Sequence, residues 1–250
     1  MNASIAHAGK PSPSVLRLLG RMLGDFTVVA VAGLIAAALL VLGAQAFWRD
    51  PPLSLLVLLE AGAQLCLLLA LLWWDRLRPL PAPVVPLRVR WQPRMAVLVG
   101  MLAGCMLLLL DPALVWLLER LGAEDLTPAN DAIIRESLED GPLLALLSIG
   151  VLAPWLEERF FRGRLFGHFR NAGRPVAGIV LTSLLFALLH EFGPDEGQRL
   201  FDWLGLVGLY AVMGAVFAAL YAWSGRLRTA IIAHAVNNLI YSGLYVLELA

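Results

Sequence analysis

Glu157, His190, His234 and Asn238 stand inside or at the ends of long apolar runs, and together they could hydrolyse a carbonyl compound. A carboxylate and a neutral imidazole that share one water can deprotonate it for attack on a carbonyl carbon. A second imidazole and an amide donor can then hold the oxyanion that forms. Burial strengthens each of these hydrogen bonds. Glu157, His190 and His234 could equally ligate a metal such as zinc, which would generate the hydroxide itself. The spacing is not that of a helical His-Glu-x-x-His pair, and both routes stay open at this point.

Each position also has a plainer reading. Glu157-Glu158-Arg159 follows the apolar stretch Leu143–Leu156 and could be a simple membrane boundary. Glu158 and Arg162, four residues apart, can pair on one helix face, which leaves Glu157, turned about 100° away, for other work. His190 closes the run Leu184–Leu189 and could be a helix-end residue. His234 and Asn238 share a face at i,i+4 and could be polar glue between spans. Glu60 and Gln64 in the second apolar run are expected to serve packing. His168, among arginines, and His7 are expected to be solvated.

The chain's turns couple the first two positions. Asn171-Ala172-Gly173-Arg174-Pro175 is the only turn chemistry between the expected fourth and fifth spans. With Gly173 at the tip, Glu157 and His190 lie nearly equidistant from it, so antiparallel helices bring them to one depth. His234 lies a short way past the Arg226 turn. It reaches that depth if the Gly173 hairpin projects beyond the membrane by roughly two turns, which puts the cluster about 10 Å below the surface.

The elements that must position these residues are membrane helices. The chain has 250 residues, 60% hydrophobic and 15% charged, far from the balance of a soluble domain. About 20 apolar residues span a bilayer. The candidate spans are 26–47, 53–74, 95–110, 143–160, 175–190, 203–223 and 229–247. The expected fold is therefore all-α, a polytopic membrane bundle of about seven transmembrane helices. The third span is expected to stop at Asp111-Pro112, with residues 112–121 as a kinked extension. Residues 131–140 read as a short amphipathic helix on the membrane. Residues 1–25 read as a cytoplasmic segment, disordered over 1–14, and 26–250 as one transmembrane domain. The first run is longer than a signal peptide's apolar core and is expected to remain as an anchor.

Lys and Arg give the orientation. Three precede the first run, five lie within 75–94, five within 159–174 and two within 224–228. Only Arg49, Arg120, Arg135 and Arg199 fall in the alternate loops, which are otherwise acidic. The pattern predicts a multi-pass cell-membrane protein with the N-terminus cytoplasmic and the C-terminus outside. The formal net charge of zero argues against a nucleic-acid partner. Cys66 and Cys105 lie in apolar runs and read as unpaired thiols. Oligomeric state is not legible.

Glu157-Glu158 with Arg162, then Phe186 with His190, then His234 with Asn238 resemble the three motifs of the CPBP intramembrane proteases. That family includes the type II CAAX prenyl endopeptidases and bacterial relatives known as Abi or bacteriocin-immunity proteins. The likeness covers roughly 143–240, the expected catalytic core. It implies an endopeptidase cutting a membrane-associated peptide or protein near the cytoplasmic face. By it, Glu157 and His190 activate the water, His234 and Asn238 stabilise the oxyanion, and Glu158 and Arg162 orient the site. A glutamate-dependent reaction requiring no cofactor is preferred over a zinc-dependent one. Eukaryotic-type prenyl proteases have an eighth span where seven are expected here, and no prenyl-cysteine pocket is legible, so the prenylated substrate is not carried over.

Two other functions fit a buried polar cluster. One is a non-enzymatic membrane regulator that binds a sensor kinase or a bacteriocin-related peptide. The other is a transporter, against which stands the lack of repeated halves or of paired broken spans.

Overall fold

The computed structural model describes residues 13–48, 53–83 and 91–249, and all regular structure among them is helical. The expectations for His7 and for nearly all of residues 1–14 lie outside the described residues. Among the described residues ten α-helices follow one another: α1 (Val15–Phe47), α2 (Leu53–Leu77), α3 (Pro93–Arg120), α4 (Asp131–Asp140), α5 (Pro142–Leu147), α6 (Ala153–Glu158), α7 (Phe166–Asn171), α8 (Pro175–His190), α9 (Leu200–Ser224) and α10 (Leu227–Leu249). Helices α5, α6 and α7 form one continuous rod, joined by π-helical turns at Ser148–Leu152 and Arg159–Leu165.

Among the described residues five helices are long and apolar enough to cross a bilayer: Val15–Phe47, Leu55–Leu77, Pro93–Arg120, Leu200–Ser224 and Leu227–Leu247. The chain is thus a polytopic membrane bundle, because only closed backbone hydrogen bonding survives in lipid. The other two expected spans take different forms. Helix α8 is a shorter apolar helix, Pro175–His190. The expected 143–160 span is the α5–α7 rod, which continues to Asn171.

Two expected boundaries need correction. Helix α1 starts at Val15, well before the apolar run at Phe26. Its first turns are amphipathic and bury Leu18 and Met22 against Leu165, Phe169 and Ala172, so tertiary packing extends the helix. The Ser14 hydroxyl caps it by accepting from the Arg17 N–H at 3.3 Å. Helix α3 does not stop at Asp111 but runs through Pro112 to Arg120. The proline removes a single ladder hydrogen bond. Ending the helix there would leave several backbone groups unpaired at membrane depth.

Two apolar clusters hold the bundle. One joins Leu18 and Met22 of α1, Leu71 of α2, Phe160, Phe161 and Leu165 of the second π-turn, and Phe186 of α8. The other joins Leu107 of α3, Phe217 and Leu220 of α9, and Ala230 and Ala233 of α10. Helices α3 and α10 pack backbone to backbone through Gly100 and Gly104. A Cβ on Gly104 would lie 2.6 Å from the Ala233 carbonyl oxygen, and one on Gly100 would lie 2.8 Å from that of Thr229. This is the small-xxx-small contact of membrane helices, and it sets the height of the helix that carries His234.

The arginine-rich segments gather at one end of the bundle. Arg164 forks onto Asp25 of α1 at 2.6 and 3.2 Å and reaches Asp75 of α2 at 3.2 Å. Arg159 holds Asp75 at 2.6 Å. Arg226 donates to the Trp91 carbonyl. At the opposite end Arg199 joins Glu124 and Asp202, each at 2.8 Å.

Candidate active site

The site begins with a proline. Pro154 lacks an N–H, and its ring would collide with the carbonyl four residues back. The ladder widens there into a π-turn, and the Ala153 N–H reaches back five residues to the Ser148 carbonyl. A second π-turn begins directly after Glu158. Such turns shift the side-chain register and are common at functional sites. Between them the last turn of α6 sends Glu157 and Glu158 in different directions.

Glu157 faces two imidazoles. Its Oε2 lies 3.8 Å from His190 Nε2 and 4.0 Å from His234 Nε2. That oxygen is buried and has no hydrogen-bond partner among the described residues. Both imidazoles are fixed through their other nitrogen. His190 Nδ1 donates to the Phe186 carbonyl, 2.8 Å away, one turn back on α8. This leaves Nε2 of the neutral ring as an acceptor directed at Glu157. His234 Nδ1 meets Glu158 Oε1 at 3.1 Å. Ring contacts set both planes. His190 stacks on Tyr210 at 4.7 Å and His234 on Phe217 at 4.6 Å.

Glu158 and Arg162 form a fully buried pair at 2.9 Å, on the face the i,i+4 spacing indicates. Taking both charges out of water costs more than the pair alone returns, so the surroundings must help. Arg162 Nη2 donates to the Gly214 carbonyl at 3.0 Å. Its guanidinium also lies over Phe186 at 4.5 Å, Phe217 at 5.3 Å and Phe161 at 5.6 Å. Those rings belong to both apolar clusters, so the ion pair lies where the two meet. Gly214 leaves room for this approach, since a Cβ there would crowd Arg162 Nη2 and the Ser183 Cα at 3.2 Å each.

Asn238 lies one turn beyond His234 on α10, and its amide donates to the Ile149 carbonyl in the first π-turn at 3.0 Å. A carbonyl freed by that turn thus orients the amide. Gln64 receives the Ser148 hydroxyl at 3.0 Å and bonds Glu60 at 3.1 Å, so this pair braces the same π-turn. His168 departs from expectation. It is buried, not solvated, and its Nε2 meets Asp25 Oδ2 at 2.7 Å beside Arg164. The carboxylate that recruits it is on α1, far away in sequence.

Glu157, His190 and His234 are donor types that zinc accepts, and each imidazole has the Nδ1 partner usual for a metal-bound histidine. Their separations of 3.8 and 4.0 Å exceed the spacing of ligand atoms around tetrahedral zinc, roughly 3.3 Å. Among the described residues no three His, Cys, Asp or Glu side chains are set to hold a metal ion.

Sequence reasoning assigned nothing to α9, yet that helix lines the cluster with Tyr210, Gly214 and Phe217. Their i, i+4, i+7 spacing puts them on one face, which was a signal available in the sequence.

Glu157 between two oriented imidazoles is thus a carboxylate–imidazole cluster within a membrane helix bundle. Residues 139–240 match the family model described as type II CAAX prenyl endopeptidase Rce1-like. The chain is also similar to the membrane-embedded CAAX protease MroQ of Staphylococcus aureus (strain USA300), with 34% identity over 96 residues. That match covers 36% of this chain and 34% of the relative, so the likeness spans about a third of the curated protein's length. No solved structure matches the chain.

Proposed function

We propose that this protein is an intramembrane endopeptidase that hydrolyses a peptide bond of a membrane-associated peptide or protein with water activated by Glu157. The observation that supports this most is the unpartnered Glu157 Oε2 facing the Nε2 atoms of His190 and His234 at 3.8 and 4.0 Å. Such separations suit groups that share one water rather than bond directly. The Rce1-like match over 139–240 and the CAAX protease named among the relatives support the same reaction class.

The steps follow from the donors and acceptors. Water donates one proton to the Glu157 carboxylate and is oriented by the acceptor Nε2 of His190. Its oxygen bonds to the carbonyl carbon, and the carbonyl electron pair moves onto oxygen. Asn238 Nδ2–H and His234 Nε2–H stabilise that oxyanion. His234 already uses Nδ1–H toward Glu158, so an Nε2–H for the oxyanion belongs to its doubly protonated ring. Collapse breaks the C–N bond, and the proton on Glu157 passes to the leaving amine. Arg162 holds Glu158, and Glu158 holds His234. The positive-inside pattern supports a cytoplasmic N-terminus, which puts the arginine-rich end on the cytoplasmic side.

The test is cleavage of a library of membrane-anchored peptides by purified wild type and Glu157→Gln, with products read by mass spectrometry and metal content measured on the same samples. Cleavage by wild type alone is expected. Equal cleavage by both, or none by either while Glu157→Gln keeps the cellular role, would replace the protease with a binding regulator. Stoichiometric zinc that is lost with His190→Ala would move the water onto a metal.

A further inference from the structure

We propose that the arginine-rich end carries a specific site for one anionic glycerophospholipid, with the phosphate at Arg228 and an acyl chain along α3. The site lies apart from Glu157 and its imidazoles, and the proposal does not depend on proteolysis.

Two hollows meet at Arg228. The first is a cavity of about 510 Å³ between the ends of α2, α9 and α10 and the second π-turn, lined by Asp75, Arg159, Tyr221, Arg226 and Arg228 among others. Its one carboxylate is already neutralised, since Asp75 is held by Arg159 at 2.6 Å and by Arg164 at 3.2 Å. The Arg228 side chain has no ion pair or hydrogen bond among the described residues. It stands in the first turn of α10, whose N-terminal amides and dipole add to the attraction for an anion. The second hollow is a groove of about 380 Å³ lined by Arg228, Arg94, Val97, Leu98 and Met101. Residues 94, 97, 98 and 101 follow one face of α3 away from the arginine-rich end. Leu98 and Met101 are 54% and 49% exposed, so the groove is an apolar channel open at the side.

The order of chemistry along these hollows is that of a lipid: cationic at the bundle end, apolar along the span. The depth is also right for a headgroup. Trp73 near the end of α2 and Trp223 near the end of α9 are 62% and 70% exposed at the same end, as in an interfacial aromatic belt. A free inorganic anion would use only the cavity, and a zwitterionic lipid would carry a cation into a cationic site. Charge complementarity therefore selects a lipid with net negative charge.

Native mass spectrometry on delipidated protein in detergent micelles tests this, with phosphatidylglycerol, phosphatidylcholine, glycerophosphoglycerol and inorganic phosphate as probes. One phosphatidylglycerol per chain is expected, bound about fivefold or more tightly than phosphatidylcholine. Arg228→Gln should remove that preference, Arg228→Lys should keep most of it, and circular dichroism should show both folded. Equal binding of the two lipids, or an unchanged preference in folded Arg228→Gln, would reduce the site to ordinary boundary lipid and overturn the proposal. Binding of phosphate or glycerophosphoglycerol as tight as that of the lipid would also overturn it, as a soluble-anion site. Peptide cleavage by Arg228→Gln in detergent is expected to stay at the wild-type level.

Discussion

Glu157 Oε2 and His190 Nε2 face each other at 3.8 Å from two antiparallel helices joined by the Gly173 turn. The next residue, Glu158, turns the other way, to Arg162 at 2.9 Å and to His234 at 3.1 Å. Two adjacent carboxylates thus have separate surroundings, one unpartnered and facing imidazoles, the other locked in an ion pair.

That division predicts different losses. Glu158→Gln leaves the Arg162 charge buried without its counter-ion, and breaking such a pair costs about 3–5 kcal/mol. Glu157→Gln removes no ion pair of that kind and should leave stability within about 0.5 kcal/mol of wild type. Thermal unfolding in detergent should separate the two. Equal melting temperatures for both variants would contradict the assignment.

The contact of α3 with α10 predicts a glycine effect. Gly104→Ala would put a Cβ 2.6 Å from the Ala233 carbonyl oxygen, next to His234. Overpacking of this kind costs about 1–3 kcal/mol, and here it also displaces the helix that carries His234. Gly62→Ala is the control, since a Cβ there has nothing within 4 Å. It should match or exceed wild-type stability, because alanine favours a helix over glycine by about 0.8–1.0 kcal/mol.

Glu191, just past α8, gives a pH signature. Burial holds its carboxyl above the ordinary range, helped by Asp195 and opposed by the Ala129 N–H at 3.3 Å. A folded-state pKa above the unfolded one means that this residue's stabilising contribution is full below the unfolded pKa and is lost as pH rises through the folded value. Glu191→Gln keeps an oxygen for the Ala129 N–H and removes the titration. Its melting temperature should exceed that of wild type above the carboxylate range, with the gap closing in acid. A constant gap across pH would contradict this.

Much of the frame was legible in the sequence because lipid leaves few choices: apolar runs became helices, and the turn at 171–175 set Glu157 and His190 at one depth. The His234–Asn238 face followed from four-residue spacing, and the Glu158–Arg162 pair likewise. What was not legible depended on contacts distant in sequence. The Asp25 that buries His168 lies on α1, and the Gly214 carbonyl that receives Arg162 lies on α9. The π-turns left no periodic trace, and only Pro154 hinted at the first. Asp111-Pro112 reads as a helix stop in water, but a membrane helix tolerates it.

The most direct measurement is the peptide-cleavage kcat/KM of wild type, Glu157→Gln, His190→Ala and the double variant. If both residues act on one water, each single change should cost about 10²–10⁴-fold and the double should cost little more than the worse single. Losses that multiply in the double variant, or a Glu157→Gln enzyme that cleaves at nearly the wild-type rate, would contradict it.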